Sequence, residues 1–510
     1  MNFLRYIHRR VATMDSLKNV SYFLERLNGY QKNTVMVQPE QWQDIYRPNE
    51  YKITFKLPQN AIIDLQTLTL SVNLGLTTSV AGANNGVCPP KFAACQIRRL
   101  DVMVGGVQVG LSNLADYGGL YSLHRSNIID TTKMRDMVAM EATGSDSYLL
   151  NGGGGTQFFQ STAPNVGTRF YRQHIRDWMG LLGGDYMRYL DTNLLPDVSI
   201  MITLAPNSIL INQTNTTPLP TFAWYTPKLY MEIVKFGDST YEQMVTARMS
   251  TGEPIVVPFT NWAMFEGTSE IGLQGTGQLQ FTIATQSLNR LWGTFRVGDY
   301  DSQQDINVCR MITIGAPNNV AFGRGGSTPI NTQSYFYRFT SLAGGTGKYP
   351  YSVVPTNTAD IFSDATTQDA VAGPARYQFE VDSKLYPQFL ADIGDAMALT
   401  KNALDRTGFK PVGASNLYDN SNVWAYQAFA LVTSFQHNDD GDYKKDRLIS
   451  GLNTAGSNVP IVWRGTNISL PAKATTALAA WATTQCRPTV FAEMTSTLLV
   501  FPGRVISVVN

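Results

Sequence analysis

The chain has 510 residues, more than one ordinary core accommodates, so two or more units are expected. Charged residues make up only 15%, and the formal net charge is +1. This balance excludes a disordered chain and argues against one that coats nucleic acid, because phosphate binding needs a basic excess.

Abundant Gly, Thr, Asn, Ser and aromatic residues suit a large β protein with long polar loops. Cys88, Cys95, Cys309 and Cys486 form no CxxC pair and no metal-ligand spacing. Cys88 and Cys95 could pair across a loop, but isolated thiols in a reducing compartment fit better. No run of eighteen apolar residues predicts a membrane span. The N-terminus lacks a secretory h-region, since Phe3-Leu4 meets Arg5, His8, Arg9 and Arg10 at once. The sequons at Asn19, Asn212, Asn215 and Asn467 then carry little weight.

Residues 1–34 read as a basic arm, with six basic side chains against Asp15 and Glu25, a net +4. Leu17, Val20, Phe23, Leu24 and Leu27 recur at helical spacing after Asp15-Ser16, a plausible cap. Such a stretch suits a tethered amphipathic helix packing on its own protein. The second reading is an arm that contacts a partner or an anionic surface, with Arg5, Arg9, Arg10, Leu17 and Phe23 as the candidate contacts.

Residues 35–237 are expected to form a first β unit. Tyr51–Leu57 alternates cleanly, and Ile62–Leu76 reads as a long second strand. Ile97–Val104, the two-residue turn Gly105-Gly106 and Val107–Val109 predict a hairpin. Asn113–Ser126 reads as helical despite Gly118 and Gly119, and Asn151–Gly155 opens a loop. Thr168–Ile175, Leu194–Leu204 and the aromatic-rich Phe222–Phe236 complete the unit.

At the midpoint Gly237-Asp-Ser breaks the pattern. Asp238 or Ser239 is placed to cap a short helix over Thr240–Met249. Residues 238–510 repeat the theme. Pro254–Met264, Gln278–Thr285, Leu291–Val297, Val308–Ile314, Ser334–Thr340 and Tyr377–Val381 read as strands. Leu385–Leu404 reads as one helix, with Phe389, Ile393, Ala396, Met397 and Leu404 on a stripe. Trp424–Phe435 echoes the midpoint strand, and Pro460–Leu470 and Val490–Val509 close the chain. The order of elements, rather than any residue-level repeat, argues for two similar halves.

The search for chemistry returns empty. His8, His124, His174 and His437 each stand alone, without HExxH or a Cys/His cluster, and read as structural. Gly344-Gly-Thr-Gly-Lys348 would need Gly at Leu342 and a hydroxyl at Tyr349 to be a phosphate loop, and reads as a loop tip. Gly237-Asp-Ser239 lacks the nucleophile-elbow pattern. Asn438–Asp442 lacks the EF-hand order and is followed by Lys444, Lys445 and Arg447, so a solvated turn is the simpler reading. No catalytic residue, metal ligand or cofactor is expected.

The layout carries a resemblance. Phe55-Lys-Leu-Pro58 followed by Ile63–Leu70, the Ile97–Gly106 hairpin with Asn113–His124, Leu194–Pro206, and Val490–Val500 are similar to segments of the double jelly-roll major capsid proteins of tailless icosahedral DNA viruses. That lineage includes virophages, polinton-like viruses and the large nucleocytoplasmic viruses. The resemblance implies an all-β fold of two consecutive eight-stranded jelly rolls with long loops and a few short helices. It implies a structural, non-enzymatic role: a homotrimer forming a pseudo-hexameric capsomer that tiles an icosahedral virion. Neighbouring capsomers, penton and minor capsid proteins and an inner membrane under the shell would be its partners, with no sequence-specific nucleic acid. Synthesis would be in the host cytoplasm or nucleus. Competing readings are a secreted or surface lectin or adhesin, a β-sandwich carbohydrate-active enzyme, and a penton or minor capsid protein.

Overall fold

The computed structural model describes residues 31–50, 52–77, 87–88, 93–128, 167–175, 178–183, 188–212, 221–235, 243, 245–247, 250–252, 254–267, 275–297, 339–340, 375–404, 424, 428–436, 451–456, 459–468 and 486–509. The first half holds β1 (Gln31–Val37), β2 (Ile45–Tyr46), β3 (Ile53–Lys56), β4 (Ile62–Thr77), β5 (Val87–Cys88), β6 (Ile97–Val104) and β7 (Val107–Gln108). Helix α1 (Tyr117–Ile128), β8 (Gly167–His174), β9 (Tyr189–Asp191), β10 (Val198–Leu204), β11 (Ile211–Asn212) and β12 (Thr221–Lys235) follow. The second half holds β13 (Ile255–Glu266), β14 (Gly275–Thr282), β15 (Leu288–Val297), β16 (Phe339–Thr340), β17 (Arg376–Val381) and β18 (Lys384–Ala391). Helix α2 (Ile393–Leu404), β19 (Leu431–Ser434), β20 (Pro460–Ile468), β21 (Cys486–Phe501) and β22 (Val505–Val509) close it.

Each half is two facing antiparallel sheets of matching strand order. In the first, β1-β12-β4-β8 faces β3-β10-β6-β7. In the second, β13-β21-β15, flanked by β16 and β19, faces β14-β20-β17-β18. The first strand of each half therefore lies beside its last, a Greek-key closure, and α1 and α2 each follow the hairpin of their second sheet. The repeated order expected from the sequence is present without a repeated motif.

Alternation explains most strands. In β10, Val198, Ile200, Ile202 and Leu204 point inward and Ser199, Met201 and Thr203 outward. β4 changes phase midway: Ile63 and Leu65 are buried, and then Leu68, Leu70, Val72 and Leu74. A bulge opposite β12 resets the register there. Asp64 secures it by accepting from the Gln66 N–H (3.1 Å), while the Thr67 hydroxyl donates to the Asp64 carbonyl and accepts from the Glu232 N–H. Gly105 and Gly106 have φ of 56° and 82°, as their two-residue turn requires.

Three expectations are corrected. Leu385–Leu404 is not one helix: its first part is strand β18, paired with β17. Pro387 deprives a helix there of an N–H and pushes Tyr386 toward extended backbone. The helix starts only at Ile393, where Asp392 and Asp395 each accept from the other's backbone N–H (2.9 and 3.3 Å). Of the strand expected over Trp424–Phe435, the described residues form one at Leu431–Ser434, with Trp424 in helical conformation and 425–427 outside the described residues. Val490–Val509 is a hairpin rather than one strand, turned at Pro502-Gly503-Arg504, where Arg504 and Gly503 have φ of 62° and 81°. Of the expected 1–34 arm, residues 1–30 lie outside the described residues, whereas 31–34 belong to β1. Val308–Ile314 and Asn151–Gly155 also lie outside them.

The strand ends give the molecule a polarity. β8 begins beside the end of β4 (Gly167 opposite Leu76), and β21 begins beside the end of β15 (Cys486 opposite Val297). The end of β4 with the start of β8, and the end of β15 with the start of β21, therefore mark one end of the sheets. At the opposite end, Gln31 starts β1 beside Lys235, and Val234 lies opposite Ile62. The β21–β22 turn sits there too: Arg504 donates to the Asn193 carbonyl (3.1 Å) and to Asn60 Oδ1 (2.9 Å).

Candidate functional site: the seam between the sandwiches and the outer faces

Among the described residues, a set of buried polar groups lies where the two sandwiches meet. The main core runs across this seam, joining Leu111, Leu114, Tyr117 and Leu120 of the first half to Phe259, Trp262, Trp292 and Leu498 of the second.

Asp116 caps α1, accepting from the Gly119 N–H at 2.9 Å through Oδ1. Its other oxygen pairs with Arg296 of β15 at 3.1 Å, and both side chains are buried. A Cβ on Gly119 would collide with the Asp116 carboxylate, so the glycine that looks ill-suited to a helix is what lets the cap approach. Arg296 also faces Glu266, which Arg487 approaches from the other side (3.6 Å each).

One turn earlier in the chain, Gly110 and Leu111 adopt φ of 74° and 56°. The Leu111 N–H donates to Asn261 Oδ1 of β13 at 2.8 Å, and Asn261 Nδ2 donates to the Ser496 hydroxyl at 3.1 Å. A leucine is held in a left-handed conformation at some cost, offset by a buried bond to the other half. At the far end of α1, Asn127 accepts from the Trp424 indole (2.8 Å) and donates to the Ala428 carbonyl (3.1 Å).

Between these anchors His124 lies 5.7 Å from the Trp262 ring and 5.5 Å from the Trp292 ring. Its Nδ1 is enclosed without a hydrogen-bond partner. Burial, reinforced by Arg125 and Arg290, holds the imidazole pKa well below its usual value, so it is neutral. Arg290 is itself buried and donates to both oxygens of Glu493 (2.9 and 3.2 Å). The structural reading of this histidine holds.

Among the described residues, no three His, Cys, Asp or Glu side chains are placed to hold a metal ion, and no helix is long and apolar enough to cross a membrane. Cys95 is buried, and its thiol donates to the Gly118 carbonyl. The arm candidates Arg5, Arg9, Arg10, Leu17 and Phe23 lie outside the described residues. So do Gly344–Lys348, Asp238, Ser239 and Asn438–Asp442. The seam residues were not singled out from the sequence: Leu111 and Asn261 are 150 positions apart and Asn127 and Trp424 are 297 apart. Only the Asp116 cap carries a local signal.

The outer faces carry the second set of candidates. Val505 and Val256 are exposed on β22 and β13, and Phe389, with Leu385 and Leu390, on the edge strand β18. The two sandwiches thus share one buried core, with apolar side chains exposed on the faces outside it.

No family model and no curated protein matches the chain. Solved structures do. PBCV-1 VP54, as fitted into a reconstruction of the virophage Sputnik, is 10% identical, with 95% of this chain and 98% of that one covered and a TM-score of 0.52. A chain of the PBCV-1 virus capsid gives the same figures. A chain of the Sputnik virophage is 9% identical, with 94% and 88% covered and a TM-score of 0.52. At these identities the likeness is one of architecture, and it spans nearly the whole of both chains: the protein has the fold of two consecutive eight-stranded jelly rolls.

Proposed function

We propose that the chain is a major capsid protein, a structural and non-enzymatic component that trimerises into a pseudo-hexameric capsomer and tiles an icosahedral virion. The observation that carries this reading is the end-to-end match to a chain of the PBCV-1 virus capsid, with 95% of this chain and 98% of that one aligned. A catalytic domain borrowing one sandwich would match over part of its length. The fused seam supports the same role, because a tile must transmit load between its two sandwiches without hinging. In this reading residues 1–34 form the arm, 35–237 the first jelly roll and 238–510 the second, with 31–34 entering the first sheet as β1.

Three upright copies would place six jelly rolls in a ring, with homotypic interfaces of several thousand Å². Neighbouring capsomers, penton and minor capsid proteins, and a membrane beneath the shell are the further partners. Light scattering after size separation tests the reading. A stable species of about 170 kDa, three copies of the 56.4 kDa chain, is expected. Hexagonal sheets or closed shells should follow by electron microscopy at higher concentration. A species that stays at one copy at every concentration, with no arrays, would overturn it.

A further inference from the structure

The outward face of the second sandwich's larger sheet carries an apolar strip that nothing in the described structure covers. Register fixes its members. Val256 lies opposite Leu499, Pro258 opposite Thr497, Thr497 opposite Val509, and Phe501 opposite Val505. Paired residues share a face, so these side chains point the same way. Their neighbours in sequence, Val257, Leu498, Val500 and Val508, pack inward with the main core. Val505 is 59% exposed and Val256 52%, two of the three most exposed large apolar side chains among the described residues. The only polar members in register are Thr497 and Ser507; no charged residue falls on the strip. An uncharged apolar face on a β22 edge that, among the described residues, pairs only with β21 is an unstable surface to leave in water.

The occupant is indicated by where the described chain begins. Gln31 starts β1 at the end of the molecule that also holds the β21–β22 turn. From β1 the strand order passes through β12 to β4, and Asn60, just before β4, is bonded to Arg504. Two strand spacings, about 10 Å, plus one arginine side chain separate the chain's entry point from the strip's edge. About five extended residues cover such a gap. Preceding Gln31 is the stretch whose Leu17, Val20, Phe23, Leu24 and Leu27 form an apolar stripe at helical spacing, with Lys18 and Arg26 beside it.

We propose that the chain's own residues 15–30 pack this stripe against Val256, Leu499, Phe501, Val505 and Val509, leaving the basic side chains facing solvent beneath the molecule. The pairing matches an uncharged strip to an apolar stripe and sets the charges of the arm outward. The contact lies within one chain and does not rest on the capsid reading: it is expected in a monomer as in a trimer.

Limited trypsin digestion of the full chain tests it, with cleavage after Lys18 and Arg26 followed by mass spectrometry. Both sites should be protected in the unaltered chain and cut at least about tenfold faster in Val505→Asp, as a local opening of the docked segment requires. Leu24→Asp, placed in the arm and away from the sandwich cores, should give the same acceleration if Val505→Asp fails to fold. Protection should be the same across a hundredfold range of protein concentration. Equal cleavage rates in the unaltered chain and Leu24→Asp would overturn the proposal. So would protection that appears only at high concentration, which would assign the strip to the arm of a second copy.

Discussion

His124 is the residue through which the seam reads pH. Folded, it is neutral because its ring is enclosed by Trp262 and Trp292 and faced by Arg125 and Arg290, the latter paired with Glu493. Its pKa is lower in the folded than in the unfolded chain. At pH well above the unfolded value both states are unprotonated and the group contributes nothing. As pH falls through the unfolded value of about 6.5, the unfolded state takes up a proton that the folded state refuses, and stability drops. His124→Gln should therefore flatten the loss of stability between pH 7 and pH 5, measured by urea unfolding followed through tryptophan fluorescence. An unchanged slope would remove His124 as a source of acid sensitivity. From sequence, a lone histidine was recognisable as structural, but the rings that enclose it were not: Trp262 and Trp292 sit on strands more than a hundred positions away, and no local pattern encodes them.

At the level of elements, the sequence disclosed strands wherever one face is buried and the other wet, as in β10, and hairpins wherever glycine marks the turn, as at Gly105-Gly106. It misled where two periodicities overlap. Leu385–Leu404 carries an apolar stripe at helical spacing, yet Pro387 and the Asp392–Asp395 box split it into strand and helix. Packing between sheets is equally silent in the sequence. Gly293 of β15 reads as an ordinary strand residue, but a Cβ there would lie 2.6 Å from both Phe379 and Trp463 of the facing sheet. Gly293→Ala should destabilise the protein by about 1–3 kcal/mol, because two interlocked aromatic rings must move to admit one methyl group. Denaturant titration would show this as a lower midpoint with an unchanged slope; an unshifted midpoint would mean the sheets part easily.

On the scale of the whole molecule, two similar halves were legible from the order of elements, since each sandwich needs its own set of half-buried strands. That the halves share a core was not legible, because the seam is built from single residues on α1, β13, β15 and β21. A shared core predicts one cooperative melting transition in calorimetry rather than two. Asn261→Ala, which strips the buried Leu111 and Trp262 N–H groups of their acceptor, should lower that single transition by about 2 °C for a loss of about 2 kcal/mol. Two resolved transitions, only one of them sensitive to this substitution, would show that the sandwiches unfold independently.

The pairing of first strand with last has a consequence for synthesis on the ribosome. β1 cannot find its partner until β12 has emerged, some two hundred residues later, and β13 waits similarly for β21. Contacts this distant in sequence form slowly. The first sandwich can close while the second is still being translated, but α1 then presents Asp116, His124 and Asn127 to solvent with no Arg296, Trp292 or Trp424 yet made. The nascent chain thus carries a sticky, half-finished wall until its final strands leave the tunnel, and it is in this interval, rather than after release, that a holding chaperone would be needed.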